Sequence, residues 1–309
     1  MRQEALSKVK VLVIGDAMLD QYWFGETYRL SPEAPVPIIN VLKQEERLGG
    51  AANVALNVSS LGAQVSLLSV IGVDDNATKL RDIVIKNKIN PLFIQNSRCS
   101  TIVKLRIIGR QQQMLRCDFE SSPLNYDLND SLTDIIKKNI QRFDVLVLSD
   151  YGKGVLNKAK DIIKISNDYN IPVFVDPKGN DYSRYEGATV ITPNKAELKI
   201  IIGDWSSEND LSSKAQNLRK KLKLKYLLLT RSEEGMTLYS DKGQLSIPTV
   251  AREVFDVSGA GDTVISTLAT LFAAGLPFIE SVKISNQAAG IIVGKFGTSP
   301  ILYSDIFQQ

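Results

Sequence analysis

The stretch Asp256-Val257-Ser258-Gly259-Ala260-Gly261-Asp262-Thr263 governs how the rest of the chain is read. It is a small-residue loop followed by an apolar segment over 264–274, the pattern of a buried helix. Gly259, Ala260 and Gly261 leave the backbone uncovered, so an anion can approach closely. A helix N-terminus offers unpaired N–H groups and a favourable dipole to phosphate. Asp262 falls in the first turn, where its carboxylate would repel that phosphate. A role as the base that takes a proton from an attacking hydroxyl gives it a reason to be there. The plainer reading is a strand-to-helix turn with an acidic first-turn residue.

Other segments repeat the theme of polar residues after short apolar runs. The run 9–14 reads as a first buried strand, closed by Gly15-Asp16-Ala17-Met18-Leu19-Asp20. Two carboxylates, Asp16 and Asp20, thus follow a strand's C-terminal end, the edge where open α/β sheets bind ligands. Asp150 with Lys153, and Asp176 with Lys178, follow the runs ending at Leu148 and Val175. Thr192-Pro193-Asn194-Lys195-Ala196-Glu197 does the same after Ile191. Asn194 and Glu197 share a helix face; they are either a capping box or holders of Mg²⁺-bound waters beside nucleotide phosphates. Gly49-Gly50-Ala51-Ala52-Asn53 leads into a helix over 54–61, with Asn53 either a cap or a partner for a hydroxyl.

Alternating apolar runs and amphipathic helices from Val65 onward predict a parallel sheet covered on both faces. Pieces within 20–45 and 100–120 have another texture, with Pro32, Pro35 and Pro37 in the first and a hairpin turning at Gly109-Arg110 in the second. They are expected to form a small β lid on a single domain covering 1–309, its exposed face closing on ligand or on a second subunit.

Composition narrows the chemistry. A chain of 309 residues that is 44% hydrophobic can bury a large core. A formal charge of +3 gives no basic stripe for nucleic acid. With no histidine, serine triads, Cys–His dyads and His-bearing zinc sites are excluded, which favours a carboxylate mechanism. Cys99 and Cys117 make no disulfide framework. No signal peptide and no run of membrane-spanning length stands out, so the cytoplasm is the expected place.

Together these segments resemble the ribokinase-like (PfkB) carbohydrate kinases. The 256–262 segment is similar to that family's C-terminal signature, Asn194-Lys195-Ala196-Glu197 to its Asn-x-x-Glu motif, and Gly49-Gly50 with Asn53 to its N-terminal signature. The resemblance covers essentially the whole chain. Within the family, Gly15-Asp16-Ala17-Met18-Leu19-Asp20, Ser31-Pro32-Glu33-Ala34-Pro35-Val36-Pro37, Arg116-Cys117-Asp118-Phe119-Glu120, Ser149-Asp150-Tyr151-Gly152-Lys153-Gly154 and Asp176-Pro177-Lys178-Gly179 resemble the D-glycero-β-D-manno-heptose-7-phosphate kinases.

The resemblance implies a doubly wound, mostly parallel α/β fold with a β lid, and ATP-dependent phosphorylation of a sugar with Mg²⁺. Asp262 would be the base, and the backbone of Gly259, Ala260 and Gly261 would hold the transferred phosphoryl group. Asn194, Lys195, Ala196, Glu197, Thr230, Ser232, Gly235, Gly259, Gly261, Asn286 and Gly290 would form the nucleotide side. Asp16, Asp20, Gly49, Gly50, Asn53 and Asp150 would meet the sugar, with Arg110, Arg116, Lys153 and Lys178 as candidates for its phosphate or as ordinary surface charges. It further implies a stand-alone kinase with separate phosphatase and nucleotidyltransferase partners downstream. The exposed lid strands are expected to form a homodimer, and composition predicts no nucleic-acid or membrane partner. Fructose 6-phosphate, ribose or a nucleoside are the alternative substrates. A non-catalytic regulator binding nucleotide or sugar is the alternative of another class.

Overall fold

The computed structural model describes residues 2–110, 112–120, 129–250, 254–295 and 297–307, with side chains throughout except at 129 and 130. In chain order the strands are β1 (Lys10–Gly15), β2 (Ala17–Glu26), β3 (Asn40–Gly50), β4 (Gln64–Ile71), β5 (Asn90–Gln95), β6 (Val103–Gly109) and β7 (Gln112–Phe119). Then come β8 (Val145–Ser149), β9 (Val173–Asp176), β10 (Val190–Ile191), β11 (Tyr226–Thr230), β12 (Met236–Ser240) and β13 (Gly243–Ile247). Nine of them form one sheet, ordered β13-β12-β11-β10-β9-β8-β1-β4-β5 and parallel from β11 to β5. β12 and β13 add an antiparallel hairpin at one edge.

The central strands are apolar on both faces because helices cover both. Val11 and Val13 of β1 pack with helices Ala51–Ser60 and Ala260–Ala273, while Leu12 and Ile14 face the layer that contains helices Ala159–Asp168 and Glu208–Lys221. Helix Ala260–Ala273 is buried from Asp262 to Leu271 despite four hydroxyl residues in that span. Thr263, Ser266 and Thr270 donate to carbonyls one turn back, at 2.9, 3.1 and 2.7 Å, which offsets the cost of burying them.

The second sheet is ordered β3-β2-β6-β7, with β2 and β6 parallel and the outer pairs antiparallel. The piece expected within 20–45 forms two long strands. β2 is one ten-residue strand that already contains Asp20, and β3 runs through Gly49 and Gly50 to the start of the next helix. Between them, an isolated bridge joins Leu30 and Pro37. The three prolines, which lack N–H donors, lie outside β2 and β3 in the intervening loop. Gln111, expected to open the second hairpin strand, lies outside the described residues.

Register fixes where the site forms. Gly15, Ser149 and Asp176 are paired across β1, β8 and β9, so the residues that follow emerge side by side. A Cβ on Gly15 would sit 2.0 Å from the Ser149 carbonyl oxygen, so close strand approach at this edge requires glycine.

Candidate active site

Asp262 is the third residue of helix Ala260–Ala273, whose N-cap Gly259 adopts a left-handed φ of 79°. A Cβ on Gly259 would come within 3.0 Å of Asn53 Nδ2. The Asp262 carboxylate is only 4% exposed. Asn53 Nδ2 donates to its Oδ2 at 2.7 Å, and the Tyr151 hydroxyl donates to its Oδ1 at 2.8 Å. Burial pushes its pKa up from 3.8 to about 6, against the pull of those two donors; the charge of Asp20 adds to the rise and Lys104 opposes it. A carboxylate tuned toward neutrality and still largely ionised at pH 7 suits a general base.

Asp176 at the end of β9 flanks Asp262. Burial, followed by the charges of Asp262 and Glu197, raises its pKa well above the usual carboxylate range. Thr192 Oγ1 donates to it at 3.1 Å.

On the other side of the helix N-terminus lies a cavity of about 350 Å³. Ala260, Gly261 and Val264 form one wall; Asn194, Thr230, Ser232 and Gly235 form another; Asn286 and Gly290 of helix Phe278–Ile292 close the third. The first-turn amides of a helix have no intrahelical acceptor; that of Ala260 donates to the Val257 carbonyl at 3.2 Å, which leaves those of Gly261 and Asp262 as donors at this helix end. Its largely apolar lining suits a flat base, and the helix end suits the phosphates. Asn286 Nδ2 is already donating to the Pro248 carbonyl at 2.7 Å.

Asn194 and Glu197 form a full capping box: Asn194 Oδ1 accepts from the Glu197 amide at 2.9 Å, and Glu197 Oε2 accepts from the Asn194 amide at 3.1 Å. Glu197 Oε1 also accepts from Lys178 Nζ at 3.0 Å. The two readings of this pair are therefore compatible, since each oxygen keeps a lone pair for a water. Among the described residues no cluster of three His, Cys, Asp or Glu side chains could hold a metal directly. That donor set fits Mg²⁺ only through its waters. Lys195 and Ala196 do not line the cavity: Lys195 pairs with Glu234 at 2.7 Å, and Ala196 is exposed on the helix.

On the sugar side several expectations need correction. Asp16 is buried, and its carboxylate accepts the amides of Tyr151, Lys153 and Val155 at 3.0, 3.1 and 3.2 Å. Through these bonds it anchors the 151–155 loop. Asp150 is likewise committed, accepting from the Gly152 amide at 2.8 Å and the Tyr185 hydroxyl at 2.7 Å, with Arg184 at 3.4 Å. Both stand at the strand edge, where amides of the 151–155 loop already occupy part of their acceptor capacity. Asp20 does belong to the cluster, paired with Arg106 at 2.7 Å and packed against Gly49, where a Cβ would meet its Oδ2 at 2.6 Å. Gly50, with φ 56°, turns the chain from β3 into the helix that carries Asn53.

The proposed phosphate-binding cations also part company. Arg110 sits at the lid hairpin turn with its guanidinium over the Tyr28 ring, beside a separate cavity that includes Phe24 and Phe255. Arg116 is half-exposed and clamps Asp118 with two bonds, 2.9 and 3.0 Å. Lys153 pairs with Glu120 at 2.7 Å, tying the end of β7 to the main body. Lys178 is on the Glu197 side, as above.

The sequence reading missed Lys104, Arg106 and the hydroxyl of Tyr151. Lys104 and Arg106 alternate with buried Val103 and Leu105 on β6, so both cations fall on one face of the lid. Arg106 also lies over the Tyr22 ring, 5.1 Å from its centroid, with Arg47 at 4.7 Å from the same ring. That period-two pattern was the available signal. Tyr151 lay inside a quoted motif, but nothing local marks which aromatic will use its hydroxyl.

Asp256 ties the loop together. Its Oδ1 accepts from the Ser258 amide and its Oδ2 from the Gly297 amide, each at 2.9 Å.

The model for "pfkB family carbohydrate kinase" matches residues 8–304. The chain is 46% identical over 303 residues to a D-beta-D-heptose 7-phosphate kinase of Bordetella bronchiseptica, covering 98% of this chain and 96% of that protein. It is 48% identical over 295 residues to the bifunctional protein HldE of Haemophilus influenzae, covering 95% of this chain but 62% of the relative. The chain thus spans less than two thirds of such bifunctional relatives. Among solved structures, a Thermotoga maritima ribokinase aligns with a TM-score of 0.75 at 20% identity, covering 96% of this chain and 95% of the other. Phosphofructokinase-2 of Escherichia coli, crystallised with potassium, aligns at 0.80 and 17% identity, covering 97% of each. These two carry the fold, ribokinase-like; the family rests on the sequence matches. This chain belongs to the pfkB family of carbohydrate kinases, which transfer phosphate from ATP to sugars.

Proposed function

We propose that the protein transfers the γ-phosphoryl group of ATP to the anomeric hydroxyl of D-glycero-β-D-manno-heptose 7-phosphate, giving the 1,7-bisphosphate. The observation that carries this reading is Asp262: a buried carboxylate with a pKa near 6, in the first turn of a helix whose N-terminus opens into the nucleotide cavity. The acceptor hydroxyl gives its proton to Asp262, its oxygen bonds to the γ-phosphorus, and the bond to the β-phosphate oxygen breaks to release ADP. Main-chain amides at Gly261 and Asp262 stabilise charge on the phosphoryl oxygens. Mg²⁺ carried with the nucleotide would neutralise phosphate charge, with Asn194 and Glu197 holding its waters.

The sugar is chosen on the similarity to the heptose 7-phosphate kinase over nearly the whole of both chains. The orphaned Asn53 Oδ1, buried with no partner among the described residues, is an acceptor that a sugar hydroxyl would satisfy. Asp20 offers a second contact. Lys104 and Arg106 replace Arg110, Lys153 and Lys178 as cations for the substrate's phosphate, with Arg116 beside them, since residues 106 and 116 are cross-strand partners.

A homodimer is proposed through the lid, whose outer strands expose Leu42, Leu115 and Phe119 at 65, 54 and 54%. Carrying the product onward would need phosphatase and nucleotidyltransferase activities. Among the described residues no helix is long and apolar enough to cross a membrane.

Coupled ADP release with heptose 7-phosphate, fructose 6-phosphate, ribose and a nucleoside tests the acceptor. Release with the heptose, and a new anomeric phosphate by ³¹P NMR, is expected. Release only with fructose 6-phosphate, or with none of the four, rejects the reading.

A further inference from the structure

Asp262 is held by two donors, one on each oxygen, and they come from different elements. Asn53 grips Oδ2 from helix Ala51–Ser60. The other donor, Tyr151, comes from the loop after β8. Two donors on opposite oxygens fix the plane of the carboxylate as well as its position.

Tyr151 is itself pinned. Its amide donates to the Asp16 carboxylate at 3.0 Å, and the amides of Lys153 and Val155 bond the same group. Lys104 Nζ lies 5.8 Å from the centroid of the Tyr151 ring, covering it from the lid. The half-buried side chain carries one polar atom, and it is spent on Asp262. Three elements therefore converge: the end of β1 fixes the loop, the loop fixes the phenol, and the phenol fixes the carboxylate.

We propose that Tyr151 is the positioning residue of the reaction, its phenol holding Asp262 in the orientation and the ionised form that proton abstraction needs. The proposal rests on the reading of Asp262 as general base. Burial, then the Asp262 charge, raises the phenol's own pKa well above its ordinary range, so it stays a donor through neutral pH. The phenol keeps its proton throughout; the proton of the acceptor goes to Asp262.

A hydrogen bond to the ionised form lowers a carboxylate's pKa, so losing it raises that pKa. The other groups facing Asp262 set the background. They are Asp20 of β2 and Lys104 of β6 from the lid, and Asp176 at the end of β9, with Lys178 and Glu197 beyond it. Asn53 remains as the neutral donor. None of these changes when the phenol alone is altered.

The experiment compares the wild type, Tyr151→Phe and a protein carrying 3-fluorotyrosine at 151, a stronger donor of nearly the same shape. For Tyr151→Phe the acid limb of kcat is expected to move up by about one pH unit, with plateau kcat about tenfold lower. KM for both substrates should stay within about twofold, because the phenol touches the base and not the substrates. For the fluorinated protein, kcat should return to the wild-type plateau with the acid limb at or below its wild-type position. An unmoved acid limb in Tyr151→Phe, or a rise in sugar KM at constant kcat, overturns the proposal.

A second readout needs no turnover. The ¹³C carboxyl resonance of Asp262, assigned by its absence in Asp262→Asn, is titrated in the wild-type and fluorinated proteins. A lower midpoint in the fluorinated protein supports the proposal; an equal or higher one overturns it, even if Tyr151→Phe does not fold. A protein that phosphorylates none of the tested sugars would sink the functional reading while leaving this titration decisive.

Discussion

Replacing Asp262 with asparagine should make the protein more stable while it loses turnover. The wild-type carboxylate has a pKa of about 6 in the folded chain and an ordinary value of 3.8, the rise coming first from burial. A group whose folded pKa is raised favours the folded state least when it is ionised. Below pH 3.8 both states hold the proton and no penalty exists. Between there and about pH 6 the unfolded chain ionises while the folded chain resists, so the penalty grows; above that it is complete. A shift of about two units is worth about 3 kcal/mol at pH 8, and about half of that remains at pH 5. Asparagine removes the charge and keeps the shape. Its carbonyl can accept from Asn53, and its NH₂ can donate to the Tyr151 oxygen once that hydroxyl turns.

The assay is urea denaturation of wild type and Asp262→Asn at pH 8 and pH 5, without nucleotide. The variant should be more stable by about 3 kcal/mol at pH 8 and by about half of that at pH 5. Turnover should fall by about 10²–10⁴-fold, the worth of general base catalysis. A variant no more stable than wild type at pH 8, or a gain that does not depend on pH, refutes the electrostatic account of this carboxylate.

Three further outcomes follow from the same geometry. In the wild type, kcat should decline below about pH 6 and stand about tenfold under its plateau at pH 5, because Asp262 must be ionised; a flat profile from pH 5 to 8 speaks against it as the base. Asp16→Ala should cost about 1–3 kcal/mol in urea melts, since the amides of Tyr151, Lys153 and Val155 are left without their buried acceptor; unchanged stability with a raised sugar KM would restore Asp16 as a substrate contact. Arg106→Ala should raise KM for the sugar phosphate at least about tenfold and leave KM for ATP within about twofold, with Lys only partly restoring it; equal effects on both substrates, in two-substrate kinetics, would remove Arg106 from the sugar site.

Much of the site was legible because local rules mark it. The glycines before Asp262, the capping spacing of Asn194 and Glu197, and the polar residue after each apolar run follow from backbone access, helix ends and parallel strands. Local rules also account for the misses. Asp16 and Asp150 stand where ligand-binding carboxylates stand, yet folding supplies loop amides and the Tyr185 hydroxyl to occupy them. Lys104 and Arg106 went unremarked in the sequence, because only the pairing of β6 with β2 sets Arg106 against Asp20.

The sequence by itself determined the layered α/β sheet and the acid at the helix start, because hydrophobic period and small residues act over a few positions. It could not determine which polar groups are free and which are spent. That depends on atoms up to 209 positions apart, as with Asn53 and Asp262, meeting at hydrogen-bond distance. Only the tertiary structure brings such pairs together, and so only it decided that Tyr151 and Asn53 bond Asp262 while Asp16 bonds the loop.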